Sequence, residues 1–276
     1  MSVLHAIILG IVQGLSEFLP ISSSGHLILV PELFGWNELT RDPSLNKTFD
    51  VALHMGTLIA AVWYFRRDVW RYLLAALQTV KQRSVRTTDE RIAWLLLLSA
   101  VPGAIVGALF GSTIEEKLGD PILVGAMLII FGFVLLFVDR LGGVRPSDDF
   151  RRRDALLMGI AQAIALQPGV SRSGVTMTMG RWLRFDRAAA ARISFLMAIP
   201  ITAGAGVYKG LEVARDGIPS DFVAPFIWGM IAAGISGFLA IAWLLRYLRT
   251  NSFMPFVIYR WIVGGAVIVI FATGLR

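Results

Sequence analysis

The chain has 276 residues, 56% of them hydrophobic and only 16% charged, with a formal net charge of +7. Soluble domains run nearer ~45–50% apolar and ~25% charged, so this is read as a helical polytopic membrane protein whose excess charge sits in basic loops rather than on nucleic acid. The apolar runs are continuous, which argues against a β-barrel, and with no cysteine there is no disulfide.

The first apolar segment, Leu4 to Leu19, is short, and Pro20 stops it, because proline pushes its preceding residue out of the helical region. It has no leading Lys or Arg and no cleavage site, so it is expected to stay in the mature protein. A loop, Ser22 to Gly25, and a second short piece, Leu27 to Phe34, complete what reads as a re-entrant hairpin. Gly35 to Thr48 reads as a polar loop and Phe49 to Phe65 as a full span. The basic stretch Arg66 to Arg91 contains an amphipathic piece near Val69 to Val80 that suits the membrane interface. Thr87 and Glu90 have capping-box spacing ahead of the span Ile92 to Phe110, in which Pro102 and Gly103 predict a kink. An acidic loop, Ser112 to Asp120, precedes the span Ile122 to Val138.

A basic connector, Asp139 to Asp154, leads to a second short apolar run, Ala155 to Leu166, broken by Pro168 and Gly169. Spans follow at Ala188 to Val207, Phe222 to Leu245 and Phe253 to Leu275. The second break repeats the first. GIVQGLSEFLPISSSG from Gly10 aligns without a gap with GIAQAIALQPGVSRSG from Gly159, and weaker echoes pair Phe49, Asp50 and Ala52 with Phe185, Asp186 and Ala188. The expected architecture is therefore two repeats, 1–140 and 141–276, each a re-entrant helical hairpin plus three spans, the second inverted because three is odd. Placing Arg66–Arg91, Arg140–Arg153, Arg181–Arg192 and Arg246–Arg249 in the cytoplasm puts about 18 basic residues inside and about six outside: Arg41, Lys47, Lys117, Lys209, Arg215 and Arg276. Both termini then face outward, and the first hairpin enters from outside.

The chemistry concentrates at the two breaks. Gln13 and Glu17 share a helix face, and Glu17 is placed to hold a cation or a proton. Ser22, Ser23, Ser24 and His26 follow, with Ser23 a candidate nucleophile and His26 its acid or base. In the second break Arg172 needs an anionic partner, either Glu17 or a bound phosphate, and Ser171, Ser173, Thr176 and helix-start N–H groups would complete an anion cradle. His54 is expected to take a core or supporting role. Arg260 is expected to snorkel to the cytoplasmic interface, and Asp50 and Asp186 to cap helices.

At these residues the chain resembles the integral-membrane undecaprenyl-pyrophosphate phosphatases of the bacitracin-resistance type. Gln13 to Glu17 matches their Glu/Gln-x-x-x-Glu motif, and Pro168 to Thr176 matches PGxSRSxxT. The resemblance implies a bacterial inner-membrane enzyme that converts a C55 isoprenoid pyrophosphate to the carrier lipid of cell-wall synthesis. It implies a divalent metal, Mg²⁺ with Ca²⁺ or Mn²⁺ as alternatives, at Glu17 with Gln13, and a pyrophosphate clamp of Arg172, Ser171, Ser173 and Thr176, with Ser22 and Ser24 beside it. Many members have Glu where this chain has Gln13, which cannot supply charge. The expected partners are the polyprenyl pyrophosphate and membrane lipids, and the sequence is compatible with a homodimer without requiring one. A secondary transporter or lipid flippase is the alternative, and the Ser23/His26 pair, which transport does not need, separates the two.

Overall fold

A computed structural model describes residues 1–36 and 43–274. Residues 37–42 of the expected first polar loop lie outside this range, as do Leu275 and Arg276. The described residues form eleven α-helices: α1 (Val3–Phe18), α2 (Ser23–Phe34), α3 (Pro43–Tyr64), α4 (Arg66–Gln82), α5 (Thr88–Leu118), α6 (Pro121–Asp139), α7 (Arg152–Ile164), α8 (Arg172–Trp182), α9 (Arg187–Asp216), α10 (Ser220–Tyr247) and α11 (Met254–Ala272). The protein is all-α. Helices α5, α6, α9, α10 and α11 are long and apolar enough to cross a membrane, and α3 with α4 makes a sixth candidate, bent by 84°.

Several boundaries differ from the sequence reading. Ser23 to Gly25 form the first turn of α2 rather than a loop, because the Ser22 hydroxyl caps that helix. Residues 43–48 already belong to α3, so Asp50 sits inside the helix and is no cap, while Asp186 does cap α9 by accepting from Ala189 N–H at 2.7 Å. The acidic loop Ser112–Asp120 is mostly helix: α5 runs on to Leu118 through Pro102. Its expected start holds, with both arms of the Thr87–Glu90 capping box formed. Helix α8 answers to the helix start expected after the second break, but its length is not legible in the sequence, because its run of hydroxyls and glycine carries no helical apolar stripe.

Helix α4 matches its amphipathic expectation. Tyr72, Ala75 and Thr79 are buried, while Trp70, Leu73, Leu77 and Val80 stay exposed on a face suited to an interface. Arg192 of α9 reaches Asp68 of α4 at 2.6 Å. Arg91 reaches the Asp148 carbonyl at 3.1 Å, and Asp139 accepts from Arg181 and Arg187 at 3.1 and 2.7 Å and from Phe253 N–H at 3.4 Å. These contacts bring the four basic segments of the sequence to one end of the bundle.

The two halves interlock rather than stand apart. Helix α1 packs on α10, α7 on α5, α3 on α9 and α10, and α6 on α11. Small residues allow the close crossings. At the α6–α11 crossing, a Cβ on Gly125 would stand 2.9 Å from the Gly264 carbonyl, and one on Gly264 would stand 2.6 Å from the Gly125 carbonyl.

Candidate active site

Both breaks end in the same turn. Ser22 (φ 78°, ψ 96°) and Ser171 (φ 75°, ψ 111°) are non-glycine residues at positive φ that cap α2 and α8. Such backbone costs about 1–3 kcal/mol and persists only where its surroundings hold it. Each serine hydroxyl accepts from the glycine N–H three residues on, Gly25 at 3.3 Å and Gly174 at 3.1 Å. The breaks also hold each other. Gly169 N–H donates to the Ser22 hydroxyl at 3.1 Å, and the Ser173 hydroxyl donates to the Leu19 carbonyl at 3.0 Å.

Arg260 completes this junction and corrects the expectation that it snorkels. Its side chain is fully buried. It donates to the Pro20 carbonyl of the first break at 3.2 Å, to Gly169 and Val170 of the second at 3.0 Å each, and to Leu128 and Met127 of α6 at 3.0 and 3.4 Å. Broken helices leave carbonyls without intrahelical donors, and away from water each needs a partner. The five-donor fork of one arginine supplies them.

The candidate reacting groups meet on this frame. Glu17, near the end of α1, is 5% exposed. Its Oε1 accepts from Arg172 Nη2 at 2.5 Å, and its Oε2 accepts from the Ser23 hydroxyl at 2.5 Å and from Gln13 Nε2 at 3.1 Å. His54 Nε2 of α3 is 3.6 Å from the same oxygen, which gives His54 the supporting place expected of it. Arg172 Nη1 also donates to the Thr202 hydroxyl of α9 at 3.4 Å, and Arg172 forms one wall of a crevice lined by Phe18, Thr57, Ala198 and Thr202. The carboxylate from one break is thus paired with the guanidinium from the other, one of the two partners the sequence allowed.

Exposure divides the remaining hydroxyls. Ser22, Ser171, Ser173 and Thr176 are buried. Thr176 donates to the Arg172 carbonyl at 2.7 Å and shares a hydrogen with Ser194 at 2.6 Å. These four hold the turns. Ser23, Ser24 and Arg172 are only partly buried, and Ser23 and Arg172 are each the first residue of a helix, where N–H groups and the helix dipole favour an anion. His26 is not hydrogen-bonded to Ser23. Its Nδ1 is 2.6 Å from the Ser22 carbonyl and its Nε2 is 2.7 Å from the Tyr259 hydroxyl.

For a divalent ion the relevant atom is Gln13 Oε1, which is buried without a hydrogen-bond partner on the side chain that already touches Glu17. That pair offers hard oxygen donors of the kind Mg²⁺ prefers. Among the described residues no group of three or more His, Cys, Asp or Glu gathers to form a full protein cage.

Sequence reasoning missed Thr202, Tyr259 and the placement of Arg260. The first two lie in apolar spans with no local pattern to mark them.

Comparison with known proteins finds relatives along the whole chain. An undecaprenyl-diphosphatase of Pelobacter propionicus is 46% identical over 277 aligned positions, covering 100% of this chain and 99% of its own. One from Geobacter sulfurreducens is 47% identical, covering 97% of this chain and 98% of its own. One from a Nocardioides species is 44% identical, covering 99% and 97%. Residues 6–266, which include both breaks, match the pattern of the bacitracin resistance protein BacA, and the chain belongs to that family.

Proposed function

We propose that the chain is a membrane-embedded undecaprenyl-diphosphatase, hydrolysing undecaprenyl pyrophosphate to undecaprenyl phosphate and inorganic phosphate. This recycles the carrier lipid for cell-wall synthesis and underlies bacitracin resistance. The observation that carries the chemistry is the Ser23–Glu17–Arg172 cluster at two facing helix starts. When the pyrophosphate arrives, Arg172 turns from Glu17 to the phosphate oxygens, for which its fork is matched. Ser23 Oγ attacks the terminal phosphorus and its proton passes to Glu17. The bond from that phosphorus to the bridging oxygen breaks, and the lipid monophosphate leaves. A water then attacks the phosphoserine, and its proton is taken up at His26 Nε2 and released from there to solvent as the cycle closes. The bond from Ser23 to phosphorus breaks, Ser23 regains its proton from Glu17, and inorganic phosphate departs. His26, three residues after Ser23, shares its face of α2. Charge neutralisation and positioning supply most of the rate.

A divalent ion, Mg²⁺ in our reading, would be held by Glu17 and the free oxygen of Gln13. It would neutralise pyrophosphate charge while keeping waters and substrate oxygens as its other ligands. Ser22, Ser171, Ser173 and Thr176 shape the anion site through the turns they hold, and Ser24 with the α2 and α8 N–H groups faces the phosphates.

We also assign the basic end of the bundle to the cytoplasm. Both termini and the first hairpin then face the periplasm, and the second half is the inverted repeat of the first. Because the chain has no cysteine, single cysteines placed at Ser84 and Gly217 give a clean labelling test. An impermeant reagent should label Gly217→Cys and spare Ser84→Cys in intact cells, and the reverse pattern sinks the orientation.

The activity test is phosphate release from a long-chain polyprenyl pyrophosphate by purified protein in detergent, with Mg²⁺, with chelator, and with Arg172→Ala. Metal-dependent release that disappears in the variant supports the reading. Absence of release from folded protein across several chain lengths and metals rejects it.

A further inference from the structure

His26 is 8% exposed and both its ring nitrogens are engaged. Nδ1 lies 2.6 Å from the Ser22 carbonyl, and a carbonyl can only accept, so Nδ1 carries a hydrogen. In the neutral ring Nε2 then holds the lone pair. The group 2.7 Å from it is the Tyr259 hydroxyl, which therefore donates. The two rings also stack, with centroids 5.6 Å apart and planes 16° from parallel. Tyr259 is itself fixed in place, because the next residue of α11, Arg260, is anchored to carbonyls of both breaks and of α6. Tyr259 is 39% exposed, so the pair runs from a buried imidazole to a partly open hydroxyl.

From this geometry we infer that Tyr259 serves hydrolysis as the proton path to His26: the Nε2 lone pair accepts the Tyr259 O–H, so a proton given up by the water reaches Nε2 through that hydroxyl, which takes up one hydrogen as it passes its own on. The inference rests on the phosphatase reading and on the role given there to His26. The Ser22 carbonyl and the Tyr259 hydroxyl grip the imidazole at opposite nitrogens. With only the Ser22 bond left, the ring can turn about that bond and Nε2 is no longer aimed. The second bond comes from a residue 233 positions away, so the last helix of the chain sets the geometry of the first break.

Tyr259→Phe keeps the stacked ring and deletes the hydroxyl, so it should fold. The expected result in detergent with polyprenyl pyrophosphate is a fall in kcat of about tenfold or more with KM within about twofold, the pattern of a proton-transfer defect rather than a binding defect. In a His26→Ala background, measured on the residual turnover, the same change should cost less than about twofold, because the two residues act as one unit. Nitrogen NMR of labelled histidine should show the Nδ1–H tautomer of His26 in both proteins, because the Ser22 carbonyl remains, with the Nε2 resonance shifted in Tyr259→Phe by loss of its hydrogen bond. Full kcat in Tyr259→Phe, or an equal loss in the His26→Ala background, would overturn the inference while leaving the phosphatase reading intact. Normal turnover by His26→Ala would instead remove the role of His26 and the inference with it.

Discussion

The two breaks are the same turn put to different uses. Ser22 and Ser171 adopt nearly the same backbone angles and cap their helices through the same bond to a glycine. Gln13 and Gln162 occupy matching positions, and each leaves its side-chain oxygen buried and unpartnered. Of the ten positions that differ between Gly10–Gly25 and Gly159–Gly174, two bear on the site, and one place past the match His26 faces Val175. Where the first break has Glu17 the second has Leu166, and where α2 opens on Ser23, α8 opens on Arg172. Gln13 accordingly binds a carboxylate, whereas Gln162 donates to the Ser99 carbonyl at 3.3 Å. The shared serines hold the backbone open, and in the proposed reaction Glu17, Ser23, His26 and Arg172, which the halves do not share, handle the phosphate and its protons. One turn repeated and facing itself puts an acid and a nucleophile from one copy beside a cation from the other.

The largest expected effect tests that division directly. Glu17→Gln, Ser23→Ala and Arg172→Ala should each lower phosphate release by about a thousandfold or more, since each removes a group that touches the reacting atoms. Leu166→Met, at the position matching Glu17, should leave turnover unchanged. Loss of activity from Leu166→Met as severe as from Glu17→Gln would break the comparison. The next effect concerns the residue that serves both breaks. Arg260→Met leaves several buried carbonyls without donors, at about 1–3 kcal/mol each, so a loss of thermal stability by at least several degrees is expected in detergent. Arg260→Lys should recover only part of it, because three rotatable donors cannot replace a planar five-donor fork.

Smaller effects sharpen the likeness. Ser22→Ala and Ser171→Ala should lower stability by similar amounts, about 1 kcal/mol each, the usual cost of a lost helix cap. A large loss at one serine with none at the other would show that the turns are not equivalent. The smallest effect lies away from both breaks. Asp149 is held below the usual carboxylate range by Arg145 first and by Arg151. Its folded value is below its unfolded one, so its contribution is present above the unfolded value of about 4 and fades as pH falls through the folded value. An exposed pair of this kind is worth about 0.2–1 kcal/mol. Asp149→Asn should lower the melting temperature slightly at pH 7 and leave it unchanged near pH 2.

The sequence announced the breaks because prolines, glycines and serines interrupting apolar runs have few other meanings. Pro20, Pro168 and Gly169 located them, and the gapless match from Gly10 to Gly25 paired them. The Glu17–Arg172 contact was also legible, as a buried charge needs a partner. The extent of helix α8 was not, because it is held by burial of Val175, Met177 and their neighbours and not by a stripe of its own. Arg260 was misread because depth along a helix was visible while the direction of the side chain was not. Three of its five carbonyl partners, Pro20, Gly169 and Val170, come within reach only once both hairpins have folded against it. Tyr259 and Thr202 meet partners 233 and 30 positions away, beyond the reach of any local pattern.

The crossing of α1 onto α10 bears on how the chain is made. Gly10 of α1 receives a hydrogen bond from Ser236, 226 positions later, and the acid on α1 meets its arginine only after 155 residues. A ribosome releases the first hairpin long before either partner exists. Until then a short helix carrying an unpaired carboxylate has no place in hydrocarbon. Early in synthesis the first hairpin must therefore wait at the membrane surface or in the insertion machinery, and enter late, as α10 arrives. Nascent chains stalled before α10 should leave the first hairpin open to protease, and chains stalled after α11 should protect it. Assembly of this enzyme thus runs backward from its reading order, with the first segment translated among the last to be seated.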